Sequence, residues 1–223
     1  MSSFTPWIVN SVLRVITRIL FRIDKEELTK VPQKGPLILV SNHSGSLEVP
    51  LLFSHLQPRK MFGLAKIETW DNKLMGWLFS VWEAIPVRRG EADMDAYRRC
   101  LEVLREGHIL GIAPEGTRSY HGRLQRAQPG TVMIALRTGA PIMPVAHWGG
   151  ESFNDNIKKF RRTDFFIRVG KPFTLNTHGE KVTSALRQEI ADEIMGQVAA
   201  LIPEKYHGHY AGKTNNTKHL QWV

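Results

Sequence analysis

The run LILV, residues 37–40, is apolar at every position. A strand with one wet face alternates apolar and polar residues, so a strand without that alternation needs cover on both faces. Similar short runs recur at residues 61–65, 84–87, 108–113, 142–147 and 165–169. Segments of helical period fall between and after them, over 47–57, 68–82, 93–106, 129–138 and 180–201, and Pro203 follows the last. This order predicts an α/β fold, a single domain with a mostly parallel mixed sheet covered by helices. Functional loops are then expected at the carboxyl ends of the strands. A chain of 223 residues with 42% hydrophobic content fits one such core rather than two. The expected division is an N-terminal amphipathic helical unit over 1–30, the main domain over 31–202 and a polar, loosely ordered tail over 203–223. No internal repeat interrupts this pattern.

The formal charge of +9 calls for an anionic partner, which by charge alone can be nucleic acid, a membrane surface or a phosphorylated substrate. A single cysteine, Cys100, excludes a disulfide framework and suits a reducing compartment. Residues 7–23, WIVNSVLRVITRILFRI, form neither a cleavable signal nor a spanning helix, because Arg14, Arg18 and Arg22 interrupt them at every fourth position. Opposite this stripe lie Ile8, Val12, Val15, Ile16, Ile19 and Leu20. Such a helix either lies in a lipid interface with its guanidinium groups at the phosphates, or docks on its own protein with the arginines solvated.

Two turns follow predicted strands and carry the chemistry. In SNHSGSLEVP, residues 41–50, His43 falls just past a strand and Glu48 near the start of the next helix, where Pro50 is tolerated only in the first turn. A carboxylate on one ring nitrogen fixes the tautomer and leaves the other nitrogen free to take a proton. The alternative is ordinary turn chemistry, with Glu48 complementing the helix dipole. In IAPEGTRSYHGR, residues 112–123, Glu115, Gly116, Thr117 and Arg118 combine a backbone open to close approach with a guanidinium suited to a phosphate; a surface turn with a Glu115–Arg118 ion pair is the other reading. Lys66, and Arg88 with Arg89, end two further strands and add cations to the same sheet edge, while GAPIMPVAHWGG, with His147, reads as a buried strand shaping an apolar wall.

Other features carry no chemistry. GHYAGKT in the tail is one residue short of a phosphate-binding loop, the histidines lack metal-ligand spacing, and Ser44 and Ser46 have no Gly-x-Ser-x-Gly setting. The cluster KKFRR, residues 158–162, has no recognition fold or stacking pattern beside it, so nucleic acid is not an expected partner.

In order, NHSGSLE, AKIE, AIPVRR, PEGTRS and APIMPV resemble the sequence blocks of the glycerophospholipid acyltransferase family, which includes the 1-acyl-sn-glycerol-3-phosphate (lysophosphatidic acid) acyltransferases. The resemblance covers residues 36–150. It implies a glycerol-3-phosphate acyltransferase-like fold and transfer of an acyl group from an acyl-CoA or acyl carrier protein thioester to the hydroxyl of a lysophospholipid. With a lipid substrate, the arginine-striped helix is expected to bring the site to an anionic membrane surface, as a peripheral or monotopic protein on the cytoplasmic side, and the reaction requires no metal and no cofactor. Carried over, His43 is the general base and Glu48 its orienting carboxylate, in place of the family's Asp. Lys66 and Arg118 match phosphate-binding positions, Glu115, Gly116 and Thr117 the acceptor loop, and Arg89 the arginine of the second block. Arg88 stands where an Asp is common and Glu83 where a Gly is common. Rival readings are another acceptor, such as glycerol 3-phosphate or a glycolipid, an acyl thioesterase, and a non-catalytic basic membrane-binding module.

Overall fold

The structure is a computed structural model that describes residues 4–45, 48–56, 58–214 and 216–223. Its strands are β1 (Phe21–Ile23), β2 (Leu37–Ser41), β3 (Met61–Lys66), β4 (Ile85–Val87), β5 (Ile109–Ile112), β6 (Ile142–Trp148), β7 (Thr163–Val169), β8 (Phe173–Leu175) and β9 (Leu220–Trp222). The helices are α1 (Phe4–Leu20), α2 (Glu48–His55), α3 (Lys73–Val81), α4 (Met94–Arg105), α5 (Gly130–Thr138), α6 (Phe153–Lys158) and α7 (Ser184–Ala199). They build one sheet in the order β1-β7-β6-β2-β5-β3-β4, with β8 and β9 attached beside β6. Neighbours from β6 to β4 are parallel, β7 is antiparallel to β6, and β1 is parallel to β7.

The unbroken apolar run occupies the middle of this sheet, as its pattern requires. Every residue of β2 is buried, and β2 is flanked by β5 and β6 with Val40 opposite Ile112 and Ser41 opposite Val145. Because side chains alternate across a strand, Ile38 and Val40 pack in one core layer with Leu104, Val132 and Ile194 of α4, α5 and α7. Leu37 and Leu39 pack in the other with Leu51, Leu52 and Phe53 of α2. Parallel neighbours end on one edge, so the loops after β2, β3, β4 and β5 converge there.

The ends of the chain depart from the expectation. The first helix stops at Leu20, and the next three residues pair with β7 instead of continuing it. The last segment, expected to be loosely ordered, is folded onto the core. β9 pairs antiparallel with β8, and Tyr210 is fully buried, its hydroxyl donating to Asp192 Oδ1 at 2.9 Å and accepting from the Ala127 amide at 2.8 Å. His219 bonds Glu193 of α7 through its backbone amide at 2.9 Å and its ring Nδ1 at 2.8 Å. Polar composition hid this docking, because few large side chains and specific hydrogen bonds carry it. Helix α6 and strands β1, β8 and β9 were also unread, each being six residues or fewer. Residues 47 and 57, at the ends of the second expected helix, lie outside the described residues.

Candidate active site

His43 leaves the sheet two residues after β2, and Glu48 opens α2, where a carboxylate also suits the helix dipole. The two meet: His43 Nδ1 lies 2.5 Å from Glu48 Oε1, and both side chains are largely withdrawn from solvent. The Gly45 amide donates to the same oxygen at 3.3 Å. Burial by itself would raise the Glu48 carboxyl, but the hydrogen bond from His43, helped by His147 and the charge of His43, outweighs it and holds the group below its usual range. An ionised carboxylate only accepts, so Nδ1 is the protonated nitrogen. In the neutral ring Nε2 keeps its lone pair, and it has no hydrogen-bond partner among the described residues. The extra methylene of Glu over Asp does not prevent the contact.

Glu115 takes a part that its sequence did not announce. It makes no ion pair with Arg118; its two oxygens accept from the His43 amide at 2.7 Å and the Gln125 amide at 2.8 Å. The Ser119 amide donates to the His43 carbonyl at 2.8 Å. The PEGTRS loop is thereby tied to the backbone of the base. Burial pushes the Glu115 carboxyl up to about 7 against the pull of those two amides. Gly116 turns the loop at φ 70°, a left-handed conformation that glycine adopts without strain.

His43 stands where two cavities meet. One, of about 650 Å³, has Lys66, Arg88, Arg89, Gly116 and Thr117 around it and runs down to Ala96, Tyr97, Cys100 and Ile134. The other, of about 480 Å³, lies between β3, α2 and α3 and is walled by Val49, Phe53, Leu78, Phe79 and Trp82, with Arg118 on its rim. Lys66, Arg89 and Thr117 line both; Glu115 and Gly116 line the first only, Glu48 and Arg118 the second only. The sequence-predicted residues are thus brought together, with the phosphate candidates divided between the two cavities.

None of Lys66, Arg89 and Arg118 forms an ion pair among the described residues, and the buried Nε of Arg118 has no hydrogen-bond partner there. Arg88 differs, with its guanidinium 3.7–3.9 Å from Glu91, Asp93 and Asp95. Three unpaired cations beside a histidine base suit an anionic substrate, and the apolar walls suit a hydrocarbon chain. The thiol of Cys100 is pushed up to about 12 by burial, which leaves it protonated and unreactive. Glu83, the apparent departure from Gly, sits at φ 52°, so that position asks for a left-handed backbone rather than for a substrate contact. As for metals, Glu189, Glu193 and His219 bring donor atoms within 4.8 Å of one another, but none of the three lines either cavity.

The sequence model of the family described as Acyltransferase matches residues 22–148, which run from β1 to the end of β6 and include every one of these site residues. The chain belongs to that acyltransferase family. It is similar to a 1-acyl-sn-glycerol-3-phosphate acyltransferase of Bacillus subtilis, 29% identical over 73% of this chain and 79% of that protein. It is also similar to the chloroplastic 1-acyl-sn-glycerol-3-phosphate acyltransferase BAT2 of Brassica napus, 31% identical over 58% of this chain. The match spans 38% of the length of that plant protein. Among solved structures, the 1-acyl-sn-glycerophosphate (LPA) acyltransferase PlsC of Thermotoga maritima shares the fold, with a TM-score of 0.61, 22% identity and coverage of 87% of this chain and 78% of that one. In this acyltransferase-family chain, His147, which the sequence places in an apolar wall, touches the loop that carries the base, at Asn42 and Ser44. No spacing signal could have found it, because the loop it touches is 103–105 residues away.

Proposed function

We propose that the protein transfers a fatty acyl group from an acyl thioester, acyl-CoA or acyl carrier protein, to the free hydroxyl of 1-acyl-sn-glycerol 3-phosphate. The observation that carries the reading is the His43–Glu48 pair at the junction of two cavities that Lys66 and Arg89 also line. In the proposed reaction Nε2 takes the hydroxyl proton as the oxygen attacks the thioester carbonyl. Glu48 stabilises the imidazolium that forms. The tetrahedral adduct collapses with cleavage of the carbon–sulfur bond, and the thiol leaves with the proton from His43. Lys66, Arg89 and Arg118 hold phosphate, while Glu115 and Gly116 hold the loop.

The second part of the proposal is that the protein works as a peripheral protein at a membrane surface. Helix α1 docks through Asn10, which is 1% exposed and accepts from Trp82 Nε1 at 2.9 Å, and through buried Thr17. Its apolar stripe of Ile8, Val12, Val15, Ile16 and Ile19 faces outward, with Ile19 65% exposed. Helix α3 does the same beside the second cavity, turning Leu78 and Phe79 inward and leaving Leu74 70% and Trp77 49% exposed. Among the described residues no helix is long and apolar enough to cross a membrane. An outward apolar face of this kind is favourable against lipid and unfavourable in water.

Thioester consumption across a panel of lysophospholipids, with glycerol 3-phosphate and water as competing acceptors, tests the chemistry. Rapid thiol release only with lysophosphatidic acid supports it. Equal release without any acceptor would make the protein a thioesterase, and no release with any donor would leave a binding module.

A further inference from the structure

We propose that His147 is a positioning residue for the catalytic loop, holding residues 42 and 44 on either side of His43 and so fixing the aim of that base at Glu48. This role rests on the proposed reaction. β2 and β6 pair as far as Ser41 and Val145, and there the ladder ends. The Asn42 side chain continues it: Nδ2 donates to the His147 carbonyl at 2.9 Å, and Oδ1 accepts from the His147 amide at 3.0 Å. The imidazole of His147 then reaches the loop itself. Its Nε2 is 2.8 Å from the Asn42 carbonyl, and its Nδ1 is 3.4 Å from Ser44 Oγ.

The chemistry of these partners settles the tautomer. A carbonyl oxygen can only accept, so Nε2 carries the hydrogen. Burial holds the ring below the usual histidine range, so Nδ1 is left as an acceptor for the Ser44 hydroxyl. The ring stacks on Phe165 with centroids 5.4 Å apart and planes 15° from parallel, which leaves it little freedom to turn. It is buried and lines neither cavity, so it acts through residues 42 and 44 and not on substrate. Between those two anchors His43 is also held through its own amide by Glu115 and its carbonyl by the Ser119 amide. The backbone of the base is thereby fixed from both sides. A misplacement of about 1 Å at a reacting group costs on the order of 10²-fold in rate.

The test compares His147→Phe, which keeps the stacked ring but removes both nitrogens, with His147→Gln, whose amide N–H can reach the Asn42 carbonyl. Two readouts are taken: steady-state transfer with saturation curves for both substrates, and the downfield proton resonance expected of His43 Nδ1–H on Glu48, checked with Glu48→Gln. The phenylalanine variant should lose on the order of 10²-fold in kcat with both KM values within about twofold, and its downfield resonance should vanish. The glutamine variant should recover to within about tenfold of the wild type and keep the resonance. The resonance is read without substrate, so it decides the positioning role even if the protein proves not to transfer acyl groups. Should His147→Phe fail to fold, His147→Gln decides alone: a resonance retained, with a few-fold lower kcat and unchanged KM, supports the role. A folded His147→Phe variant with wild-type kcat and resonance overturns it, as does a change confined to KM or, where only the glutamine variant folds, a His147→Gln protein indistinguishable from the wild type.

Discussion

Glu48 reaches His43 from the first residue of α2, and two accounts of it differ in what charge should do. As the partner of the base it stabilises the imidazolium formed when the proton arrives; as a first-turn carboxylate it only complements the helix dipole. At a contact of 2.5 Å the first account leads to a clear expectation for Glu48→Gln. Turnover should fall by at least about 10²-fold, while the dipole contribution removed is only about 0.3 to 1 kcal/mol of stability. Parallel measurement of kcat and thermal unfolding separates the two, and a loss of stability without loss of turnover would sink the dyad. Glu115 offers a pH test. With its carboxyl raised from 4.5 to about 7 by burial, its contribution to stability is full below about pH 4.5 and is lost as the pH climbs through about 7. Urea unfolding of the wild type and Glu115→Gln should show the wild type losing up to about 3 kcal/mol relative to the variant over that window. A constant difference between the two would show that Glu115 is ionised throughout. Glu83 is a matter of backbone alone. Its exposed pairing with Lys60 contributes little, and Glu83→Gly relieves a left-handed residue at φ 52°, so stability should be unchanged or rise by about 1 kcal/mol with turnover intact. Lost activity in that variant would return position 83 to the substrate site.

At the scale of elements, α1 inverts the usual logic of an amphipathic helix. Its apolar stripe would ordinarily lie against the core, but only Leu20 of it does so, beside Leu13, buried Thr17 and the Asn10–Trp82 hydrogen bond, and the rest faces outward. The sequence showed both faces of α1 and could not show which one the rest of the molecule would cover. Val12→Asp with Ile16→Asp should therefore leave the unfolding midpoint within a few degrees of the wild type, because single exposed substitutions stay within about 0.5 kcal/mol. Sedimentation with anionic vesicles should drop sharply. If the double variant unfolds early instead, the stripe is packed against protein and the membrane contact lies elsewhere. Activity on a soluble short-chain acceptor should survive in either case, since the site residues lie on other elements.

For the molecule as a whole, the last 21 residues close the core rather than trail from it. Tyr210→Phe keeps the buried ring but leaves the Ala127 amide without its acceptor, which should cost about 1 to 3 kcal/mol by urea unfolding. Removing residues 216–223 takes away β9 and the His219 contacts with Glu193 and should broaden or abolish the cooperative transition. Unchanged unfolding would mean that the tail contributes nothing to the fold. Much was determined by sequence alone, for identifiable reasons. Apolar runs such as LILV demand cover on both faces, and helical segments between them force parallel strands whose loops share an edge. That edge holds His43, Lys66, Arg89 and the Glu115–Arg118 turn, and six strands are legible to within two residues at each end. Contacts between distant segments were not determined there, because composition and local spacing carry no information about partners 100 residues away. The Glu115 hold on the His43 amide, the His147 brace, the outward stripe of α1 and the buried tail all rest on single hydrogen bonds or packing faces chosen by the folded chain. Tertiary structure also made the contact within SNHSGSLEVP, since only the placement of α2 against the end of β2 brings Glu48 to 2.5 Å from the histidine.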